Sequence, residues 1–239
     1  MRAVVVAIPA HDEEALIGRC LATVTRAVAH AREHEPDLDA RIVVVLDACT
    51  DTTAMQVRRW PVEAVEISSR VVGTARRVGV AHGLAALDAD PERTWIAMTD
   101  ADSTVPREWL THQLDLMDAG IDVVLGTVRP DFADLSDRHA AYWRATHPRG
   151  RPAGNVHGAN LGIRARTYLE VGGIRDLALH EDVALVDAAR AMGARVRASD
   201  EHEVETSGRF TGRTPAGYAA FLRRVHAWID APPLAAEGA

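Results

Sequence analysis

The chain has 239 residues, of which 47% are hydrophobic and 26% charged, so it is long enough to bury a sizeable core. Its formal net charge of -7, with no basic stripe, argues against a nucleic acid as partner. No run approaches the ~18 apolar residues of a membrane span, and the N-terminus lacks a signal-peptide pattern. We therefore expect a cytoplasmic protein without an integral membrane segment, in which Cys20 and Cys49 are free thiols.

Strands and helices alternate in the first half of the chain. Apolar runs of strand length predict strands at 3–8, 41–46, 62–67, 94–99 and 122–128. Helices are predicted at 12–32, in a short segment ending at residue 60, at 73–87 and at 106–118, with Asp12 as the first N-cap. This alternation implies right-handed crossovers and a largely parallel sheet.

The pattern changes after Val128. Residues 129–152 are polar and punctuated by proline and glycine, with only 138–144 helix-like, which is typical of a binding loop. Further helices are predicted at 166–171, 180–192 and 216–229, and a short strand begins at residue 196. We expect one domain over 1–230, divided into a nucleotide-binding half (1–128) and an acceptor-side half (129–230), followed by a flexible tail (231–239).

Two carboxylates, Asp100 and Asp102, follow the predicted strand 94–99 directly. In open α/β sheets, ligands bind beyond the carboxyl ends of the strands. Two aspartates at such a point offer hard oxygen ligands to Mg²⁺ or Mn²⁺, and such a cation suits a substrate that carries phosphates. A solvated acidic turn is the alternative reading of an isolated Asp-X-Asp.

Six segments together resemble the motifs of glycosyltransferase family 2, in the order in which that family carries them. They are Pro9–Glu14, Leu46–Asp51, Arg76–Gly79, Asp100–Asp102, Gly158–Asn160 and Glu181–Asp182, and the resemblance covers roughly residues 3 to 210. It implies an α/β fold of the GT-A (Rossmann-like) type, with a mostly parallel central sheet flanked by helices and a C-terminal acceptor-side region. It also implies a hexosyltransferase that moves a sugar from a nucleoside-diphosphate sugar, with UDP favoured, to an acceptor hydroxyl with inversion.

The resemblance also assigns roles to single residues. The donor would be held by Pro9, Ala10, His11, Glu13, Asp47, Arg76, Asp100 and Asn160. Within this set, Asp47 would accept a hydrogen bond from the base edge and Arg76 would reach the diphosphate. Mn²⁺ or Mg²⁺ would be bound by Asp100 and Asp102, with His202 as a third ligand. Asp182 would be the general base, with Glu181 as the second candidate.

Simpler structural interpretations exist for four of these residues. Asp47 also suits an Asx turn after a strand, and Arg76 suits an exposed charge on a helix. Glu181 and Asp182 also suit the acidic first turn of a helix, where they would interact with its dipole.

The sequence departs from the family pattern at several points. Asp12 stands where the family usually has Asn, Ala48-Cys49 replace Gly-Ser, and Arg77 replaces Asn. These departures leave the nucleotide open. The Gln-X-X-Arg-Trp signature of processive, membrane-embedded relatives is missing, which argues against polymer synthesis.

Two other functions compete with glycosyl transfer. One is a non-catalytic nucleotide-sugar-binding or scaffold protein that has kept the fold. The other is a sugar-phosphate nucleotidyltransferase, although such enzymes carry a glycine-rich loop after the first strand and this chain has Pro9–Asp12 there and no lysine. The acceptor, the donor sugar and the oligomeric state, including a homodimer, stay open.

Overall fold

The structure is a computed structural model that describes residues 2–212 and 217–229. The strands are Ala3–Ala10 (β1), Asp39–Asp47 (β2), Glu63–Ile67 (β3), Thr94–Met98 (β4), Ser103–Thr104 (β5), Val123–Pro130 (β6), Leu161–Arg164 (β7) and Val196–Thr206 (β8). The helices are Ile17–His34 (α1), Thr53–Val57 (α2), Val72–Ala85 (α3), Trp109–Asp118 (α4), Asp137–Thr146 (α5), Ala165–Glu170 (α6), Glu181–Ala191 (α7) and Tyr218–Ile229 (α8).

The strands form one sheet in the order β3-β2-β1-β4-β7-β6-β8-β5. β1 pairs with β2 and with β4, and β2 pairs with β3, and all three of these pairings are parallel. The strand β7 is antiparallel to both β4 and β6, and β5 is antiparallel to β8. The predicted α/β class with a mostly parallel central sheet is confirmed, and the carboxyl ends of β1, β2 and β4 lie at one edge.

The sequence pattern missed β5 and β7, and it gave no sign of the length of β8. Each of the missed strands is short, and β7 contains Gly162. A Cβ at that glycine would lie 2.6 Å from the Trp95 ring and 2.3 Å from Gln113 Oε1. The glycine is therefore required by close packing against β4, a cause that single-sequence periodicity does not reveal.

Two boundaries near the first motif differ from the predictions. β1 continues through Pro9 to Ala10, because at this point it pairs only with β2 and not with β4, so the missing N–H of proline needs no partner there. Asp12 is not the N-cap of α1, which begins at Ile17. Asp12 has a φ of +50° and binds a neighbouring loop instead.

The core lies on both faces of the parallel strands. β1 is buried along most of its length, and Cys20, Val24 and Val28, which are spaced four residues apart, lie on the buried face of α1. Both cysteines are free, as expected, with Cys20 buried and Cys49 partly buried. Within the described parts of the chain, no helix is both long enough and apolar enough to span a bilayer.

The chain divides into two compact units. The first comprises the described residues up to Arg129 together with Arg149–Thr206. The second comprises Pro130–Pro148 and the described residues from Ser207 onward, including α5 and α8. This grouping differs from the expected division after residue 128, because residues 149–206 supply β7 and β8 to the sheet. The tail 231–239 lies outside the described residues.

Candidate active site

A buried arginine lies at the centre of the candidate site. Arg76, on α3, is only 5% exposed, and its guanidinium donates to Asp100 Oδ1 at 2.5 Å and to Glu181 Oε1. Burial alone would lower the pKa of Arg76, but Asp100 and Glu181 outweigh it and raise that pKa above its usual value. Arg76 is therefore not an exposed helix charge. It thus connects its own motif to that of Asp100, 24 residues away in the chain, and to that of Glu181, 105 residues away.

Glu181 and Asp182 open α7 and have different environments. Glu181 is buried, and this burial raises the pKa of its carboxyl against the opposing attraction of Arg76. Asp182 is partly exposed and accepts hydrogen bonds from the N–H of Gly158 and of Val183, both at 2.8 Å. Glu181 is thus held by an ion pair, whereas the carboxylate of Asp182 is oriented by backbone groups.

Asp100 and Asp102 lie where β4 ends, as predicted. Besides its ion pair, Asp100 accepts a hydrogen bond at its backbone oxygen from Cys20 Sγ at 3.3 Å. Oδ1 of Asp102 accepts from Thr206 Oγ1 at 3.2 Å, and Ser103 Oγ donates to Thr206 Oγ1 at 2.9 Å. The residues of β5 and β8 therefore hold Asp102 in place.

These hydroxyl contacts were missed by the sequence analysis. Thr206 lies 104 positions from Asp102 and reaches it through the pairing of β5 with β8. Cys20 was expected to be a free thiol, but its contact with Asp100 was not expected. Burial raises the pKa of the Cys20 thiol, which keeps it protonated and able to donate. The strand β5 is two residues long, so no sequence signal pointed to either contact.

The loop after β1 is tied to the loop after β2. Asp12 accepts from the N–H of Thr50 at 2.7 Å and of Asp51 at 3.3 Å, and Glu14 accepts from the N–H of Thr52 at 2.9 Å. Hydrogen bonds from the Thr50 N–H lower the pKa of Asp12. In the reverse direction, Asp51 accepts from the N–H of Glu14 at 3.1 Å. The two loops form one braced wall at the carboxyl edge of the sheet.

The remaining residues of the first motif belong to this wall. Pro9 and Ala10 are the last residues of β1. His11 Nδ1 lies 2.7 Å from the backbone oxygen of Asp47, and the N–H of the buried Glu13 donates to Thr53 Oγ1 at 2.8 Å. The structure thus brings the predicted base-and-ribose residues together with the end of β2.

Asp47 has a structural role. Its carboxylate accepts from the N–H groups of Ser69 at 2.7 Å, Arg70 at 2.8 Å and Val71 at 3.1 Å, and it is only 4% exposed. These bonds shape the turn that leads into α3. The alternative interpretation of Asp47 also gave this residue a role in a turn. A contact with a base edge would have to compete with them.

Asn160 is also buried, and its amide is engaged. It donates to the backbone oxygens of Thr127 at 2.8 Å and His202 at 3.2 Å, and it accepts from Trp109 Nε1 at 2.8 Å. Direct donor binding by this side chain would break these bonds. Asn160 therefore connects α4, β6 and β8 behind the site.

His202, expected as a third metal ligand, does not form a trio of ligand atoms within 4.8 Å with Asp100 and Asp102 in the described part of the chain. Its ring lies 4.7 Å from the ring of His112, between centroids, and partial burial together with His112 lowers its pKa. Among the described residues, the one trio of ligand atoms within 4.8 Å of one another is His112, Glu201 and His202. The reason is that β8 runs past the site, so only its end, at Thr206, reaches Asp102.

The donor set at the end of β4 fits a hard divalent cation. It consists of carboxylate oxygens, which Mg²⁺ and Mn²⁺ prefer, and Asp102 is partly exposed and held by hydroxyl groups. Asp100 already forms an ion pair with Arg76, so Asp102 is better placed to be the main ligand of the cation. Cationic and anionic groups thus lie side by side, an arrangement that suits a bound diphosphate.

A sheet of this order with an acidic site at the end of β4 is the GT-A architecture of glycosyltransferases. The sequence profile of Glycosyl transferase family 2 matches residues 5–169. The chain belongs to this family, as the motifs predicted.

Among curated proteins, the chain is similar to a dolichyl-phosphate hexose transferase of Haloferax volcanii. The two are 30% identical over 151 residues, which is 63% of this chain and 54% of that protein. The chain thus spans about half the length of this relative.

Solved structures share the fold. A mannosyltransferase from Pyrobaculum calidifontis, in complex with GDP-Man and Mn²⁺, is 22% identical with a TM-score of 0.65, over 94% of this chain and 61% of that one. TarS of S. aureus in complex with UDP is 15% identical with a TM-score of 0.59, over 87% and 61% of the two chains. Glucosyl-3-phosphoglycerate synthase from Mycobacterium tuberculosis, with Mg²⁺ and UDP, is 16% identical with a TM-score of 0.52, over 86% and 70%.

Proposed function

We propose that the protein transfers a hexose from a nucleoside-diphosphate sugar to an acceptor hydroxyl, with inversion at the anomeric carbon. The observation that carries the proposal is the buried ion-pair cluster of Arg76, Asp100 and Glu181, with Asp102 and Asp182 beside it. The desolvation of a guanidinium and its carboxylates can cost more than their attraction returns, so stability alone is a weak explanation of this cluster. Membership of the family and the fold support the same reaction class.

The cluster is suited to a diphosphate in one further respect. Arg76 Nε is buried and has no hydrogen-bond partner among the described residues. Such an orphaned donor is uncommon in a protein interior, and a role in ligand binding is one explanation for it. We propose that the guanidinium turns toward phosphate oxygens when the donor binds, because its planar fork matches them.

The two braced loops would form the nucleotide pocket. In the proposal, Pro9, Ala10, His11 and Glu13 line the base and ribose, with UDP as the favoured nucleotide. Asp47 and Asn160 act as positioning residues, since their polar atoms are engaged by the fold. The complex of a structural neighbour with UDP and that of another with GDP-Man support a nucleoside-diphosphate sugar without choosing between the bases.

In the transfer itself, Asp182 takes the proton of the acceptor hydroxyl. The acceptor oxygen then forms a bond to the anomeric carbon while the bond from that carbon to the phosphate oxygen breaks. The N–H of Gly158 orients the Asp182 carboxylate for this step. Because an ordinary carboxylate is a weak base for an alcohol, positioning and a good leaving group supply much of the acceleration.

The aspartates would hold Mn²⁺ or Mg²⁺, with Asp102 as the main ligand and Asp100 beside it. Such a cation supplies charge stabilisation to the departing nucleoside diphosphate. The neighbours that bind Mn²⁺ and Mg²⁺ support this choice of metal.

A second acceptor class is favoured by the curated relative, whose name specifies a dolichyl phosphate. The nucleophile would then be a phosphate oxygen. A phosphate monoester has its second pKa near ~6 and is already deprotonated at neutral pH, so it needs no general base. The two acceptor classes therefore differ in their dependence on Asp182.

The proposal is tested first by thermal unfolding of the protein with UDP, GDP, dTDP and CDP, each with and without Mn²⁺. A ligand that binds only the native state at 100 times its Kd adds about 2.7 kcal/mol of stability. We expect one nucleotide to raise the Tm, and to do so more strongly with Mn²⁺. If none of the eight conditions shifts the Tm, the non-catalytic scaffold becomes the better description.

A further inference from the structure

A second cluster of metal-binding side chains lies away from the aspartate pair. His112 is on α4, and Glu201 and His202 are on β8. One ligand atom from each of the three side chains lies within 4.8 Å of the others. Neither the proposed glycosyl transfer nor the family motifs use His112 or Glu201.

One pair in this cluster has the spacing of zinc ligands. His112 Nδ1 lies 3.4 Å from Glu201 Oε2. Two ligands at ~2.1 Å from a tetrahedral Zn²⁺ are about 3.4 Å apart. A ligand atom of the third side chain, His202, lies within 4.8 Å of a ligand atom of each of the other two.

The other nitrogen of His112 has the support that metal-binding histidines usually have. His112 Nε2 lies 2.9 Å from Ser199 Oγ, and this hydroxyl oxygen also accepts from the N–H of Glu201 at 3.3 Å. A second partner of this kind fixes the tautomer and the ring orientation. His112 Nδ1 then faces Oε2 of Glu201 at 3.4 Å, so that both atoms are within reach of one cation.

The backbone behind the cluster is fixed. His202 O accepts from the buried Asn160 amide at 3.2 Å, and Asn160 also binds Trp109 on α4. His112 is largely buried, with 13% of its side chain exposed, whereas 66% of Glu201 is exposed. The site is therefore rigid on the histidine side and open to solvent on the carboxylate side.

We propose that His112, Glu201 and His202 bind one Zn²⁺ or a similar transition-metal dication and thereby link α4 to β8. A set of two imidazoles and one carboxylate suits Zn²⁺ better than Mg²⁺. Thr206, which binds Asp102, lies four residues beyond His202 on β8. In an extended strand these two residues are about 13 Å apart. The zinc site is thus distinct from the aspartate site and restrains the strand that supports it.

The test is calorimetric titration of tag-free, EDTA-treated protein with Zn²⁺ and with Mg²⁺. We expect one Zn²⁺ per chain at the trio, and any Mg²⁺ binding to be the same in the wild type and in His112→Ala. His112→Ala and His202→Ala should each weaken Zn²⁺ binding at least tenfold. The exposed Glu201→Gln should weaken it without affecting folding, so the test does not depend on the buried histidines.

Two controls separate this site from other zinc ligands in the chain. On α1, the ring centroids of His30 and His34 are 4.6 Å apart, and Glu33 contacts His30. These two imidazoles and one carboxylate resemble the proposed ligands, and His34→Ala removes one of the imidazoles. Cys49→Ser removes the partly buried thiol. Neither should change the affinity for Zn²⁺. The proposal would be overturned if the protein did not bind Zn²⁺ or if either control variant lost Zn²⁺ binding. It would also be overturned if the Glu201→Gln variant and the His202→Ala variant both bound Zn²⁺ as tightly as the wild type.

Discussion

Gly158 lies directly against the guanidinium of Arg76. A Cβ at position 158 would be 2.3 Å from Arg76 Cζ, and the same glycine donates its N–H to Asp182. The glycine thus contacts both the proposed phosphate-binding residue and the proposed base. Since Arg76 is buried and bound to two carboxylates, it cannot move aside without breaking those contacts.

We expect Gly158→Ala to displace the guanidinium of Arg76 while leaving the fold intact. Misplacement of a binding group by about 1 Å can cost about 100-fold in rate. The measurement is the release of nucleoside diphosphate from the donor sugar, with circular dichroism to check folding. The matched control is Gly18→Ala in α1, where a Cβ would meet nothing within 4 Å. Full activity of Gly158→Ala would show that the contact is not required.

The neighbouring arginines of α3 provide a test of burial. Arg76 lies in a buried ion-pair cluster, whereas Arg77 binds Asp176 with about half of both side chains exposed. Breaking a buried pair typically costs about 3 kcal/mol or more, and an exposed pair contributes less than about 1 kcal/mol. Arg76→Gln should therefore lower the free energy of unfolding much more than Arg77→Gln. Equal losses in urea denaturation would contradict the structural role given to Arg76.

Arg76 also illustrates what the sequence could and could not predict. Its motif and that of Glu181 were each recognisable, and the strands β1 to β4 follow from apolar runs. The contact between Arg76 and Glu181 depends on how α3 and α7 approach the sheet edge, which local pattern does not encode. The same applies to Thr206, which reaches Asp102 through two-residue β5. His202 was proposed as a third ligand from its place in the chain, which does not tell how far along β8 it lies from Asp102.

The raised pKa of Glu181 gives a pH dependence with a definite sign. The folded state holds the proton of Glu181 more tightly than the unfolded chain does, because the carboxyl is buried. This contribution to stability is complete below the ordinary value of 4.5 and is lost as the pH rises through the higher folded pKa. Glu181→Gln removes the titration.

We therefore expect Glu181→Gln to gain stability relative to the wild type as the pH is raised above 4.5, measured by urea midpoints up to pH 8. Asp176→Asn is the control, because its partner Arg77 lowers the pKa of Asp176 below 3.8 and its titration falls outside this range. A constant difference between Glu181→Gln and the wild type would show that the pKa of Glu181 is not raised.

The metal assignment predicts a specific loss in Asp102→Asn. Its side chain keeps an oxygen to accept from Thr206 but loses the negative charge that a cation needs. We expect nucleotide affinity without metal to be unchanged and the increase caused by Mn²⁺ to disappear. The exposed Asp88→Asn carries the same change of charge away from the site and should behave like the wild type. A normal Mn²⁺ effect in Asp102→Asn would move the cation to other ligands.

Asp182→Asn separates the two acceptor classes. The amide keeps an oxygen for the N–H of Gly158 but cannot take a proton from an acceptor hydroxyl. If the acceptor is an alcohol, donor binding should persist while transfer falls by about 100-fold or more, the usual contribution of a general base. If the acceptor is a phosphate monoester, transfer to it should stay near the wild-type rate. Asp187→Asn, on the exposed face of the same helix, controls for the change of charge. Normal transfer to a hydroxyl acceptor by Asp182→Asn would exclude this residue as the base and leave Glu181 as the remaining candidate.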